Sequence, residues 1–253
     1  MFPTDNKLDL KDIHIKAKYG LVIPCYNESA SVLKLIKECN NLLILHEDLR
    51  ILIVENGSLD DTRYHISRAV KSDSLYILEL DVNLGYGGGI KKGLDFFHEC
   101  EYLGYTHADL QTPLSDISRA INLIDKSRFS FCKGVRLSRP ALEEFFSSGM
   151  GLIASISLGL RLKEINAQPT VFKMEFYRRI RHLLPDDFGI DLYIYYYSQR
   201  EQLSTGRLKV EFPPRQFGAS SWNDGTFSAR MKFVFRALSN IYSLKKQIND
   251  IST

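Results

Sequence analysis

Tyr19-Gly20-Leu21-Val22-Ile23-Pro24-Cys25-Tyr26-Asn27-Glu28 is a short apolar run that stops at a proline and turns polar. Tyr19–Pro24 has the length of a buried strand, and Val32, Leu33, Leu35, Ile36, Cys39, Leu42 and Leu43 follow it at helical spacing. The same alternation continues downstream. Strands are expected at Ile51–Val54, Leu75–Leu80, Tyr105–Leu110 and Phe129–Val135, with helices at Gly88–Cys100 and Leu114–Ser127. Ser58 is expected to cap the helix after the second strand, with Asp61 as its capping-box partner. Strand and helix in this rhythm imply right-handed βαβ crossovers and a mainly parallel sheet in an α/β fold. Ligands then bind beyond the carboxyl ends of the strands, so the polar residues after each strand are the ones to read for chemistry.

The rhythm changes after residue 136. A long helix Ala141–Leu160, an extended piece Thr170–Lys173, helices Met174–Leu184 and Gly189–Glu201, a strand Leu208–Pro213, a loop Arg215–Gly225 and a final helix from Thr226 are expected. With no repeat or linker, residues 19–253 read as a single domain behind an extension, 1–18. Within it 19–135 is the nucleotide-binding half, 136–225 the acceptor half and 226–253 an amphipathic helix.

Bulk composition excludes several classes. Hydrophobic residues at 44% and charged residues at 25% suit a globular chain with a full core. A net charge of +3 without clustered Lys and Arg is no nucleic-acid footprint. Cys25, Cys39, Cys100 and Cys132 form no CxxC pair, and Met1–Lys18 lacks an apolar signal core. Free thiols in a reducing cytoplasm are therefore expected. The longest apolar stretch, Gly149–Leu160, falls short of the roughly 20 residues a membrane span needs.

Four strand ends carry polar groups suited to a sugar nucleotide. Tyr26 offers an aromatic face to a base, and Asn27 and Glu28 stand where a helix begins. The second strand ends Glu55-Asn56-Gly57-Ser58-Leu59-Asp60-Asp61-Thr62. Helix N-terminal acids account for Asp60 and Asp61 but not for Glu55, whose carboxylate suits a base N–H. Asn83-Leu84-Gly85-Tyr86-Gly87-Gly88-Gly89 resembles neither a P-loop nor a dinucleotide fingerprint, but glycines before a helix can turn N–H groups to a phosphate. His107, Asp109 and Gln111, alternating on an expected strand, would converge on one point and ligate Mg²⁺ or Mn²⁺. The plainer reading of Asp109 is a carboxylate bonded to the backbone of its own turn.

Together and in order, these segments resemble family 2 glycosyltransferases. Val22–Glu28 is similar to the family's opening motif, and Glu55–Thr62 to its Asp-Asp-Gly-Ser-x-Asp-x-Thr segment. Asn83, Gly85, Gly89 and Gly93 are similar to its Asn-x-Gly element, and Ala108–Gln111 to the Asp-Ala-Asp-Leu-Gln metal motif of the dolichol-phosphate mannosyltransferase branch. The resemblance implies a GT-A, Rossmann-like three-layer fold and an inverting transfer from a UDP- or GDP-sugar to a glycan or lipid-phosphate acceptor, with Mg²⁺ or Mn²⁺. It implies that Pro24, Tyr26, Glu28 and Glu55 line the base and ribose site, with Asn83 and Gly85 beside them, and that Asp109 and Gln111 hold the metal. Arg136, within Gly134-Val135-Arg136, and Arg215, within Arg215–Trp222, would reach the donor phosphates. The chain departs from the pattern in having His107 for the first metal acid and Glu55-Asn56 for the acid pair. It also has Asn166–Phe172 in place of an Asp-x-x-Ser-Gly-Phe segment.

An inverting transfer needs a base for the acceptor hydroxyl unless the acceptor is already an anion. Asp191 and then Asp187 are the expected carboxylates, and both also read as helix N-terminal acids. The final helix mixes Phe233, Phe235, Leu238 and Tyr242 with Lys232, Arg236, Lys245 and Lys246, which fits an anionic membrane face, its own domain, or a second subunit. A nucleotidyltransferase is disfavoured, because no Gly-rich basic loop follows the first strand. A binding protein derived from a transferase and weakened at His107 remains the rival. A purely structural protein would not need ordered polar strand ends.

Overall fold

The computed structural model describes residues 14–70, 72–137, 141–213 and 227–252. Strands β1 (Tyr19–Cys25), β2 (Leu49–Asn56), β3 (Leu75–Leu80), β4 (Tyr102–Tyr105), β5 (Phe131–Arg136), β6 (Thr170–Lys173) and β7 (Thr205–Val210) form one sheet. Its order is β3-β2-β1-β4-β6-β5-β7. All pairs are parallel except those of β6, which runs antiparallel to β4 and to β5. The helices are α1 (Val32–Leu45), α2 (Thr62–Ala69), α3 (Gly85–Phe96), α4 (Ser115–Ser127), α5 (Ala141–Leu158), α6 (Met174–Ile180), α7 (Ile190–Arg200) and α8 (Phe227–Ser252).

Alternation along the strands divides the core between two faces. Leu21, Ile23, Ile51 and Ile53 bury α1, α2 and α4 through residues such as Leu35, Ile66 and Ile121. Val22, Leu52 and Val54 point the other way, into a cluster with Ile90 and Leu94 of α3 and with α5 to α8. The result is the three-layer α/β architecture expected, with a mixed central sheet. All four cysteines are free and buried.

Several expectations need correction, among them the last strand, which runs Thr205–Val210 and not Leu208–Pro213. β4 ends at Tyr105 and does not run on to Leu110. Its last pairs are Val22 of β1 and Thr170 of β6, and Pro24 and Pro169 just beyond have no N–H to extend the ladders. α3 begins at Gly85, so the glycine run lies inside the helix and not before it. Ser58 caps nothing: α2 starts at Thr62 behind Asp61, with no side-chain cap bond.

Candidate active site at the carboxyl edge

The tips of β1 and β2 are bonded to each other. Asn27, at a left-handed φ of 55°, donates its N–H to Ser58 Oγ (3.1 Å) and accepts from Leu59 N at Oδ1 (2.8 Å). Glu28 N donates to Thr62 Oγ1 (2.8 Å) and Ser29 N to Asp60 Oδ2 (3.2 Å). Asp60 Oδ1 also accepts from Thr62 N (3.0 Å), so this acid ties two loops together and is more than a helix-end charge. Although burial opposes it, these hydrogen bonds hold Asp60 below the usual carboxylate range. Glu28 Oε2 accepts from Ser31 Oγ (2.8 Å). Pro24 and Tyr26 are half-buried on the same edge.

Glu55 is fully buried, and both of its oxygens are engaged. Oε1 accepts from Ser58 N (2.6 Å) and Oε2 from Arg63 Nε (2.7 Å), while Arg63 also donates to Leu80 O (2.6 Å). Arg63, eight residues further on and on α2, therefore supplies the structural account of Glu55 that helix-end electrostatics could not. Asn56 links β2 to the next loop: Nδ2 donates to Gly85 O (3.0 Å) and Oδ1 accepts from Leu84 N (3.0 Å). Asn83 Oδ1 accepts from Gly85 N (2.7 Å), which turns the chain into α3.

The glycines of α3 serve packing. A Cβ on Gly87 would stand 2.5 Å from Pro185 O and 2.7 Å from Asp187 O. On Gly85, at φ +80°, it would meet Asp186 O at 2.5 Å, and on Gly89 it would crowd the Asn56 side chain. Gly88 N already donates to Asp186 O (2.9 Å). The expectation that these N–H groups face a phosphate is thus corrected at Gly88, where the loop before α7 takes the bond.

His107, Asp109 and Gln111 lie in a bend after β4, with Leu110 at a left-handed φ of 59°. Strand alternation therefore does not bring them together. Asp109 Oδ1 accepts from Gln111 N (3.1 Å), the turn bond of the plainer reading, and Gln111 Nε2 donates to Pro213 O (3.2 Å). The His107 ring stacks on Tyr86 (centroids 5.7 Å apart), and Tyr86 stacks on Phe188 (4.7 Å). The Tyr86 hydroxyl is 3.4 Å from His107 Nδ1. Burial, and then the Asp191 and Asp109 carboxylates, push that phenol well above its ordinary pKa, so its hydroxyl lies within the field of both acids. Every hydrogen bond described for Asp109 falls on Oδ1. An Asp109 carboxylate oxygen and the His107 imidazole are ligand types that a divalent cation accepts.

Between β4, β5, β6 and α7 lies a buried polar group that sequence reading does not assemble. Asp191 is 3% exposed, and its Oδ1 accepts from Tyr105 OH (2.7 Å) and Gln168 Nε2 (2.8 Å). Lys133 is fully buried on β5, where Nζ donates to Ala167 O (3.1 Å) and Thr170 Oγ1 (3.1 Å) and lies 4.0 Å from Asp191 Oδ1. Burial pulls the Lys133 ammonium down to about 8, and Asp191 opposes that fall. The sign of it in the sequence is a lysine between the apolar Phe131-Cys132 and Gly134-Val135 of β5. Asp187 is exposed, with Oδ1 accepting from Gly189 N (2.7 Å), and Asp186 pairs with Lys91 (2.6 Å). Arg136 pairs with Glu164 (3.0 Å) and stacks over Phe212 (5.3 Å). Arg215 and the rest of the 215–222 segment lie outside the described residues.

Solved structures share this fold. Glucosyl-3-phosphoglycerate synthase from Mycobacterium tuberculosis, in complex with uridine diphosphate, superposes with a TM-score of 0.63 at 16% identity, over 89% of this chain and 80% of that one. The same synthase with Mn²⁺, uridine diphosphate and glucosyl-3-phosphoglycerate gives 0.63 at 14% identity, with the same coverage of 89% and 80%. A mannosyltransferase from Pyrobaculum calidifontis, in complex with GDP-Man and Mn²⁺, gives 0.53 at 18% identity, over 81% of this chain and 60% of that one. The model of the family described as glycosyl transferase family 2 matches residues 21–182, from β1 through α6, and so takes in the β1, β2 and β4 tips just described. The chain belongs to glycosyl transferase family 2.

Proposed function

We propose that the chain moves a sugar, with inversion, from a UDP- or GDP-sugar to a glycan or lipid-phosphate acceptor, with Mg²⁺ or Mn²⁺ as cofactor. The observation that carries this reading is the carboxyl edge of the sheet: the β1 and β2 tips are bonded to each other at Asn27, Ser58 and Leu59, and His107 stacks on Tyr86 beyond β4. Asp109 and His107, with Gln111 beside them, would hold the cation, which offsets charge on the leaving diphosphate. Pro24, Tyr26 and Glu28 line the edge for the base and ribose, while Glu55, Asn83 and Gly85 keep the loops in place beneath them. Arg136 and Arg215 are the proposed phosphate contacts. The solved neighbours hold uridine diphosphate or GDP-Man together with Mn²⁺, which supports this class of donor.

Asp191 is the proposed base. All of its described hydrogen bonds fall on Oδ1, so Oδ2 remains to meet a hydroxyl. The acceptor proton would pass to Oδ2 as the acceptor oxygen bonds the anomeric carbon, and the bond to the diphosphate breaks with its electron pair. Asp187 is the second candidate, with Oδ1 held by its own turn. An exposed face of α8 flanked by Lys and Arg supports a lipid-linked acceptor met at the inner face of a membrane. Among the described residues no helix is long and apolar enough to cross one. A second copy of the chain is the other cover for that face.

Thermal-shift measurements with UDP-glucose and GDP-mannose, with and without Mn²⁺, test the donor site. One donor is expected to stabilise the protein more with Mn²⁺ than without, and Asp109→Ala should remove the metal-dependent part. A Mn²⁺ effect that survives Asp109→Ala would move the metal elsewhere. His107 at the first metal position favours one rival, a nucleotide-sugar-binding protein. Donor binding without hydrolysis or transfer would select it.

A further inference from the structure

Lys133 is a charged residue where the fold asks for an apolar one. Its strand neighbours Phe131 and Cys132 are fully buried core residues, and Lys133 is itself 0% exposed. A well-packed apolar side chain at such a position is commonly as stable or more so, so stability does not explain the ammonium. Its surroundings are set out on every side. Ala167 O and Thr170 Oγ1 accept from Nζ. The Tyr195 ring of α7 lies 5.6 Å away and is shared with Arg207 of β7, whose guanidinium is 5.3 Å from the same ring. Arg136 and Glu164, also within its field, pair with each other at 3.0 Å. Asp191 is the acid that comes within ion-pair range of Nζ, at 4.0 Å.

We propose that Lys133 is a positioning residue for the transfer, holding the Asp191 carboxylate as an oriented anion through Oδ1 so that Oδ2 is presented to the acceptor. The proposal rests on the reading of Asp191 as the base. Three groups from three strands or their approaches surround one oxygen: Tyr105 of β4 and Gln168 before β6 donate to it, and Lys133 of β5 stands 4.0 Å from it. Two of these are neutral donors that fix direction. The third is a charge in a poorly screened interior, where it favours the anion strongly. Thr170 and Ala167 keep the ammonium from moving toward the carboxylate or away from it.

The test is the pH dependence of kcat for hydrolysis of UDP-glucose or GDP-mannose with Mn²⁺, whichever the wild type turns over. Lys133→Met is expected to lower kcat at neutral pH about ten- to hundredfold and to move the acid limb up by about one unit, with donor KM and the donor thermal shift held. Adding Lys133→Met to Asp191→Asn should cost almost nothing more, because the lysine acts through that carboxylate. Should Lys133→Met fail to fold, Thr170→Val keeps both charges, removes one holder of Nζ, and should move the limb the same way by a smaller step. An unmoved limb, or additive losses in the double variant, would overturn the positioning role. Full kcat in Asp191→Asn would instead remove the base reading, and no turnover or donor binding by the wild type would remove the transferase reading itself.

Discussion

Glu55 illustrates what a single carboxylate does at a strand tip when its neighbours are known. It is buried without remainder, and its two oxygens meet Ser58 N and Arg63. Glu55→Ala leaves those donors short of partners, and unfolding free energy is expected to fall by about 1–3 kcal/mol in denaturant titration. Nucleotide binding should weaken with it, because Ser58 also anchors Asn27. Asp191→Asn belongs to the opposite class. An amide oxygen still accepts from Tyr105 and Gln168, so the fold is retained while kcat falls by about 10²- to 10⁴-fold at unchanged donor KM. Near-wild-type kcat in Asp191→Asn with a dead Asp187→Asn would transfer the role to Asp187. At this scale the residue types are legible in the sequence and their partners are not. Asp109 is the exception, because a turn bond to its own backbone is the plainer reading of the sequence and Gln111 N supplies it.

Among the elements, α3 is the one whose sequence argues against its own structure. Gly85, Gly87, Gly88, Gly89 and Gly93 make a poor intrinsic helix. Tertiary contact reverses that preference, because only a side-chain-free surface lets the helix approach the backbone of Pro185–Asp187 and the side chains of Val22, Val54 and Asn56. Gly87→Ala is expected to push the loop carrying Asp187 and Phe188 away, lowering the melting temperature and impairing transfer more than nucleotide binding. Gly149→Ala, in α5 with nothing within 4 Å of the added Cβ, is the contrasting substitution. It should raise stability by up to about 1 kcal/mol, read from the same melts. β4 makes the complementary point. Its apolar pattern continues past Tyr105, but strands end where neighbours stop pairing, and Pro24 and Pro169 lie on other segments of the chain.

At the scale of the whole molecule, α5 and α8 carry apolar side chains that are exposed among the described residues. Ile156 is 74% exposed, Phe235 65% and Tyr242 72%, and Phe235, Leu238 and Tyr242 share one side of α8. Lys232, Lys245 and Lys246 on α8 are exposed with them. Sedimentation with phosphatidylglycerol-containing vesicles is expected to carry the protein down, less so at high salt, and Phe235→Glu with Tyr242→Glu should abolish it. Light scattering that shows a dimer, dissociated by the same substitutions, would assign the face to a second copy of the chain.

The sequence by itself determined the α/β rhythm and the polar residue types that follow the strands. Those follow from local periodicity, in which each strand and helix writes its own hydrophobic pattern. It did not determine that β6 inserts antiparallel between β4 and β5, because pairing direction leaves no periodic trace. That insertion brings Gln168 and Thr170 beside Lys133, while α7, buried from Ile190 to Ser198, carries Asp191 down onto them. The constellation spans residues 105, 133, 168, 170 and 191, and only the folded sheet makes neighbours of them. A carboxylate's role depends on which charges and donors surround it in space, and those surroundings come from tertiary packing.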